Sequence, residues 1–306
     1  MNIFDDVKQQ YRKGDRVTQL IIINIAVFLL FLVVRLLLLL FGGKEGEQSF
    51  QTVLRFFEAP NNLADSLTHF WTPITYMFLH EGIGHLFFNM LSLYWFGSIL
   101  QDMGGRKLIL PIYLLGGLVG WAVFVLSAFA PNLYVGNMAL GASAGVMAIL
   151  AAAATLVPRY ELHLLIIGRV ELWLVALFLI VVDLASISAL NPTNNGGHLM
   201  HLGGVVAGWL FIRELQRGRD YAEWFEFHFN NIAAWFQGFG KQKMTATRGG
   251  ASKSQPKTVF NTPRHSSDDE DHERVLVDAI LEKIKRSGIQ SLSDKEREML
   301  YKSSKK

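Results

Sequence analysis

The residues of this chain that could do chemistry begin with a serine flanked by glycines, in Gly141-Ala142-Ser143-Ala144-Gly145. A serine hydroxyl becomes a nucleophile when a base lies within hydrogen-bonding reach. The same residues also permit a packing interpretation, because glycines four apart let two helices approach closely and leave the serine as a minor hydrogen bonder. The choice between these interpretations depends on which other polar groups lie close to Ser143 in the folded chain.

Two further polar clusters lie near the starts of other apolar segments. His85 and Asn89 are four residues apart, so they project from one face of a helix. His201 is followed by Gly204 and Gly208, whose spacing again permits close contact with a neighbouring helix. His198 precedes this group, and we expect it to be a hydrated residue at the edge of the membrane.

Metal and thiol chemistry are not indicated. His80 and Glu81 precede His85, but these histidines are five apart, whereas a zinc-binding helix places them four apart on one face. The chain has no cysteine, which excludes a disulfide, a thiolate nucleophile and a cysteine metal site. We therefore predict no metal and no cofactor.

The composition indicates a polytopic membrane protein. Of the 306 residues, 51% are hydrophobic and 18% are charged, which is too apolar for an ordinary soluble domain of this length. The formal charge of +3 comes from basic residues in short segments that flank apolar runs, as in proteins whose topology is set by positive charge. The predicted partner is a lipid bilayer, and no nucleic-acid partner is indicated.

The elements that must position these residues are six apolar segments, each long enough for a membrane helix of about 20 residues. They cover residues 18–41, 83–102, 108–129, 139–157, 170–190 and 198–215. Arginine and lysine cluster at the N-terminus and after the second, fourth and sixth segments, which predicts that both termini are cytoplasmic. The fold class predicted is an all-α membrane protein, a six-helix transmembrane bundle with a cytoplasmic C-terminal tail.

This topology places the polar clusters at one depth. The second, fourth and sixth helices all run from outside to inside, and each carries its polar residues within about two turns of its start. Ser143, His201 and the pair formed by His85 and Asn89 would therefore lie just below the outer surface. Together they supply a nucleophile, a base and donors for a developing oxyanion.

At these residues the chain resembles the rhomboid family of intramembrane serine proteases, over roughly residues 18–215. Gly141-Ala142-Ser143 is similar to the family's nucleophile motif, and His85 with Asn89 is similar to the H-x-x-x-N of its second helix. The third motif is the catalytic-histidine helix, which His201 with Gly204 and Gly208 resembles.

The resemblance implies a serine-type endopeptidase with a catalytic dyad, Ser143 and His201, and no acidic third member. It also implies an oxyanion site formed by His85, Asn89 and backbone N–H groups near Ser143. The expected partners are transmembrane protein substrates, and the expected location is a multi-pass position in a membrane such as the bacterial inner or plasma membrane. His80 would be structural.

The chain departs from the family pattern in three places. Ala144 stands where many relatives have glycine, and Met200 stands where a small residue is common. The first loop lacks the family's frequent Trp-Arg pair. The first two departures could alter the helix spacing around the dyad, and the third bears on how the loop lies in the bilayer.

Asp183, in the fifth segment, admits two interpretations. An intramembrane carboxylate is a candidate functional group, but a neutral or hydrogen-bonded residue inside the bundle fits equally well. Two alternatives to the protease also stay open. A proteolytically inactive relative that binds membrane helices would share the fold, and a small transporter would use intramembrane His and Asp, although no inverted repeat is evident.

The predicted domain boundaries follow from these segments. Residues 1–17 form a cytoplasmic N-terminus and residues 18–215 the six-helix domain. An aromatic helix at the membrane interface follows at 216–240, then a disordered linker at 241–272. Residues 273–306 form a small helical hairpin with a capping box at Ser293 and Glu296, which would bind an unknown cytoplasmic partner.

Overall fold

The structure is a computed structural model that describes residues 15–130, 132–164, 168–188, 194–226, 228 and 293. Apart from Ser293, these residues belong to one compact unit, Met1–Gln242. The predicted linker at 241–272 and most of the predicted hairpin at 273–306 lie outside the described residues. So does most of the predicted interfacial helix, of which 221–226 is helical.

The first helix, α1 (Arg16–Arg55), contains a sharp reversal. Asp15 caps its start by accepting a hydrogen bond from the Thr18 N–H at 2.6 Å. Gly43 has a φ of 54°, a left-handed conformation that favours glycine, and it interrupts the helix at the end of the predicted 18–41 segment. The chain then folds back, so that Arg35 forms two 3.0 Å hydrogen bonds with Glu47.

Two short helices, α2 (Leu63–Thr68) and α3 (Thr72–Thr75), follow in the first long loop. A helix then occupies each of the remaining apolar segments: α4 (Ile83–Gly104), α5 (Ile109–Ser127), α6 (Ser143–Leu156), α7 (Leu172–Ser186) and α8 (Asn195–Gln216). The helical turn of α8 begins three residues earlier than predicted.

Among the described helices, three are long and apolar enough to cross a membrane: α1, α4 and α5 with the short turn before it. The helices α6 and α7 are apolar but shorter. These lengths and compositions are those of a helical membrane protein.

Two antiparallel ribbons depart from the all-α prediction. The strand β1 (Ala59–Pro60) pairs with β2 (Met138–Ala139), which lies just before Ser143. A second hairpin joins β3 (Glu161–Leu164) to β4 (Gly168–Glu171) in the connection between α6 and α7. The fold is therefore mainly helical, with two small ribbons in its loops.

The centre of the unit is α6, which packs against α5, α8 and α4. Every residue from Ala144 to Ala153 is buried, as expected for a helix that is hydrophobic on all sides. Glycines allow α8 to lie against its backbone: a methyl group on Gly204 would be 2.1 Å from the Ala144 carbonyl oxygen, and one on Gly208 would be 2.0 Å from that of Ala148. This close contact fixes the start of α8 beside the start of α6.

Candidate active site

Ser143 is the first residue of α6, and the segment before it is tightly constrained. Gly141 has a φ of 134°, which disfavours any residue with a side chain, and a methyl group there would be 3.0 Å from the His85 ring. The Gly141 N–H donates a 2.9 Å hydrogen bond to the Tyr76 carbonyl. The approach to the serine is therefore held by backbone geometry and by a contact with the loop before α4.

His201 lies in direct contact with Ser143. Its Nε2 atom is 2.6 Å from the Ser143 Oγ, although the two residues are 58 positions apart in the chain. A neutral imidazole nitrogen accepts the proton of a serine hydroxyl at such a distance, which is the geometry of a nucleophile and its general base.

Asp183 completes a line of three groups, which corrects the expectation of a dyad without an acidic neighbour. Its Oδ1 atom is 2.9 Å from the Nδ1 atom of His201, on the side of the ring opposite Ser143. The chain thus has the Ser-His-Asp arrangement of hydrogen bonds. The reason is the antiparallel course of α7 and α8, which brings the end of α7 level with the start of α8.

His198 is not the hydrated edge residue that the sequence suggested. Its Nδ1 atom is 2.8 Å from the same Asp183 Oδ1, and its side chain is 20% exposed. Because His198 and His201 are three apart, both project from one face of α8 toward α7. One carboxylate oxygen therefore contacts two imidazoles.

The start of α6 also offers backbone donors. The first N–H groups of a helix lack partners within the helix, and Ala142, at the capping position, makes no side-chain hydrogen bond to them. The N–H groups of the first turn, from Ser143 onward, therefore point toward the site with the positive end of the helix dipole. This arrangement suits a developing negative charge beside Ser143.

His85 and Asn89 line the same cavity as Ser143, as the sequence suggested, but neither contacts the serine through a hydrogen bond among the described residues. The Asn89 amide donates to the His85 carbonyl of its own helix at 2.9 Å, and its second N–H has no hydrogen bond to any described residue. His80 packs against the His85 ring at a centroid distance of 5.2 Å. Burial, together with the nearby His85, lowers the pKa of His80 to about 4, so His80 is neutral.

The cavity has a volume of about 600 Å³. Its lining includes polar groups besides the serine and histidine, among them Glu58, Glu81, Asn89 and Asn194. Such groups can hold water in a site that a hydrolytic reaction requires to be wet.

Asp183, His198 and His201 are also the residues that could hold a metal ion, because their ligand atoms lie within 4.8 Å of one another. The hydrogen bonds described above already account for this proximity. An ion at the His201 Nδ1 would displace its hydrogen bond to Asp183.

Two residues near the dyad, Ala144 and Met200, depart from the family pattern. Both lie beside Gly120 of α5. A methyl group on Gly120 would lie 2.8 Å from the Ala144 side chain and 2.8 Å from the Met200 carbonyl oxygen. The absence of a side chain at Gly120 makes room for both residues, so the α6 and α8 starts remain in contact.

The fold and this site define a helical membrane protein with a serine and a histidine in contact inside the bundle. Comparison with known proteins agrees with that class. Residues 67–216 match the Rhomboid domain family. The chain therefore belongs to the rhomboid family.

Individual relatives cover part of the chain. It is 32% identical to RHOMBOID-like protein 12, mitochondrial, of Arabidopsis thaliana over 176 residues, which are 52% of this chain and 52% of that protein. It is 27% identical to Rhomboid protease GluP of Bacillus subtilis (strain 168) over 180 residues, 59% of this chain and 33% of the relative. Presenilin-associated rhomboid-like protein A, mitochondrial, of Danio rerio is 28% identical over 135 residues, 44% of this chain and 35% of the relative. The chain thus spans about half or less of the length of these relatives.

The C-terminal segment matches a different family. Residues 264–306 match a Family of unknown function (DUF6576). This match includes the predicted hairpin at 273–306 and the end of the predicted linker, and it lies outside the described residues except for Ser293.

Proposed function

We propose that this protein is an intramembrane serine endopeptidase that cleaves transmembrane protein substrates. The observation that carries the proposal is the 2.6 Å separation between the Ser143 Oγ and the His201 Nε2. Membership of the rhomboid family, which includes Rhomboid protease GluP among the relatives of this chain, supports the same reaction class.

The reaction begins when Ser143 attacks a peptide carbonyl and His201 accepts the hydroxyl proton. The negative charge on the carbonyl oxygen is stabilised by backbone N–H groups at the start of α6, with His85 and the free Asn89 N–H as further donors. His201 then protonates the leaving amine, which leaves an acyl group on Ser143. A water molecule, deprotonated by His201, hydrolyses this ester and restores the serine.

The proposed setting is a six-span membrane domain with both termini on the cytoplasmic side. In that orientation the site lies near the outer face, and the cavity admits water from that side. The substrate must unwind locally, because a helical peptide bond in the membrane is shielded by its own hydrogen bonds. The C-terminal segment, residues 273–306, would bind a cytoplasmic partner.

The test uses the full chain, purified in detergent, with a test transmembrane substrate and a fluorophosphonate probe. The wild type should cleave the substrate and become labelled, and Ser143→Ala should do neither while remaining folded. Ser127→Ala is the matched control, because Ser127 does not line the cavity and its hydroxyl donates to the Phe124 carbonyl of its own helix.

Cleavage by Ser143→Ala would end the serine-protease assignment. A folded wild type that neither cleaves nor labels would instead favour an inactive rhomboid-like protein that binds membrane helices.

A further inference from the structure

Asp183 is the most thoroughly enclosed carboxyl group that lines the cavity. It is 6% exposed, whereas most of α7 is exposed: only Leu172, Ala176 and Asp183 are buried on that helix. A buried carboxylate is costly unless it is hydrogen-bonded, and here both partners come from α8. The group therefore has a defined geometry that depends on His198 and His201.

The hydrogen-bonding chemistry of these groups fixes the protons. An ionised carboxylate only accepts hydrogen bonds, so a ring nitrogen 2.9 Å from Asp183 must carry a proton. When His201 is neutral, a proton on Nδ1 leaves a lone pair on Nε2, which is the atom 2.6 Å from the Ser143 Oγ. This is the tautomer that a general base for Ser143 requires.

His198 contributes to the same arrangement without touching Ser143 among the described contacts. The His198 Nδ1 lies 2.8 Å from the same Asp183 oxygen, which can accept this second hydrogen bond through its other lone pair. Two donors from one helix face restrict the carboxylate more than one donor would, because the oxygen cannot follow either ring independently. The orientation of the His201 ring is therefore determined by α7.

We propose that Asp183 is a positioning residue that holds His201 in the Nδ1–H tautomer and in the orientation needed to activate Ser143, with His198 as a second donor that fixes the carboxylate. This inference rests on the proposed peptidase function for its catalytic consequence. It differs from the dyad that the family resemblance implied, because the acid comes from α7 and acts through His201.

The kinetic experiment compares Asp183→Asn, Asp183→Glu and Ser186→Ala in the full chain. Asparagine keeps the shape but also offers an N–H donor to the imidazole, which favours the wrong tautomer. We expect kcat to fall about 10²- to 10⁴-fold, with KM changing far less. Glutamate, which keeps the acceptor, should recover part of kcat. Ser186→Ala is the control on the same helix, since its exposed hydroxyl donates to the Val182 carbonyl, and it should match the wild type.

A purely structural role for Asp183 predicts a different pattern. In that case Asp183→Asn would lower thermal stability and the yield of active protein, while the folded fraction would turn over at the wild-type rate. An unchanged kcat per labelled Ser143 in Asp183→Asn would overturn the proposal and leave the peptidase function intact.

A second measurement does not depend on activity or on a folded variant. Nitrogen-15 NMR of histidine-labelled wild-type protein reports which ring nitrogen of His201 carries the proton, with His201→Gln used to assign the signals. A neutral His201 protonated on Nδ1 supports the proposal, and one protonated on Nε2 overturns it. This readout decides the role of Asp183 even if the wild type neither cleaves nor labels, an outcome that would count against the peptidase function alone.

The same cluster must be tested as a metal site. EDTA treatment followed by addition of zinc distinguishes the two assignments in the wild type. Unchanged turnover in EDTA supports the hydrogen-bonded arrangement. Loss of turnover in EDTA with recovery on zinc would show that Asp183, His198 and His201 bind an ion, and the positioning role would be abandoned.

Discussion

The two ends of the helix bundle hold their ionisable side chains in different ways. At the end that carries Ser143, one buried carboxylate oxygen of Asp183 accepts hydrogen bonds from two imidazoles on α8. At the opposite end, Lys107 forms ion pairs with Asp220 and Glu223, whose side chains are 27% and 75% exposed. The first arrangement is enclosed and specifies a ring orientation, whereas the second is open to solvent.

The difference follows from the cost of burial. A charge removed from water must be compensated fully, so its partners are held at one distance and angle. An exposed pair gains little, because water and salt screen the attraction. Substitutions at the site end should therefore have large and specific effects on turnover, and substitutions at the other end should have small effects on stability.

The largest effect is expected from a matched pair of histidine substitutions. His201 and His198 lie on the same face of α8 and both contact Asp183, but only His201 contacts Ser143 among the described hydrogen bonds. His201→Gln should lower turnover by about 10²- to 10⁴-fold, because the general base is lost. His198→Gln should cost much less. Steady-state assays of both variants test this, and equal losses would mean that His201 has no special role.

A smaller loss is expected at the proposed oxyanion donors. His85→Ala and Asn89→Ala should each lower turnover by about 10²- to 10³-fold or less, because one donor is removed while backbone N–H groups remain. The double variant should lose less than the product of the two if both donors serve one oxygen. His163→Ala, at an exposed position of β3, is the control. Wild-type turnover in either single variant would reassign that residue to structure.

Packing between α6 and α8 gives the next effect. Gly204→Ala introduces a methyl group 2.1 Å from the Ala144 carbonyl oxygen, so the helices must separate. We expect a loss of about 1–3 kcal/mol in the free energy of unfolding, together with lower turnover, because Ser143 adjoins Ala144. Gly84→Ala is the comparison, since no atom beyond the adjacent residues and the nearby backbone of its own helix lies within 4 Å of the added methyl group. Thermal unfolding in detergent distinguishes them, and two equally stable variants would refute the close contact.

The smallest effect is expected at Lys107. Hydrogen bonding to Lys107 lowers the pKa of Asp220, and the same bond raises the pKa of Lys107. Asp220 contributes to the free energy of unfolding above the pKa that it has in the unfolded chain, and this contribution is lost as the pH falls through its pKa in the folded protein. Lys107 contributes below the pKa that it has in the unfolded chain, and its contribution is lost as the pH rises through its pKa in the folded protein. The pair thus stabilises across the neutral range.

Lys107→Met should lower the free energy of unfolding by less than about 1 kcal/mol at neutral pH, and less still at high salt. Turnover should be unchanged. Lys44→Met, at an exposed position beyond the break in α1, serves as the control. Thermal unfolding measures the effect. A loss of several kcal/mol in the free energy of unfolding of Lys107→Met would show that solvent exposure does not weaken these ion pairs as much as expected.

The sequence located the helices and the residues that meet at the site, because apolar periodicity and helix direction are local properties. The proximity of Ser143 and His201 was indicated by counting turns in helices that were predicted to run the same way. The approach of α8 to α6 was indicated by the spacing of Gly204 and Gly208, which removes side chains from one face. These features depend on composition and position along the chain.

The role of Asp183 could not be deduced in the same way. Its contacts depend on the rotation of α7 about its own axis, and α7 is apolar around most of its surface, so no periodicity reports which face is buried. The direction of α7 was nevertheless a usable signal. A residue three positions before the end of α7 is level with the first turns of α8, where two histidines occur.

The ribbons were missed for a related reason. The strands β1 and β2 are two residues each, too short to show an alternating pattern, and the second residue of β2, Ala139, lies within a segment assigned to a helix. A strand pair of this kind forms because backbone groups from distant parts of the chain meet. A short stretch of sequence therefore contains no information about which segment is its partner.

The pairing of β1 with β2 has a consequence for how the protein matures. Asn61 donates a hydrogen bond to the Gly136 carbonyl, 75 residues away, and both α4 and α5 lie between them in the chain. Contacts between such distant residues form late, because the intervening chain must first be ordered. The segment before Ser143 therefore reaches its final shape only after two helices have been inserted, and His201 arrives later still during synthesis. A partly synthesised chain would hold a serine without its histidine, so the proposed hydrolysis could not begin before the bundle is complete.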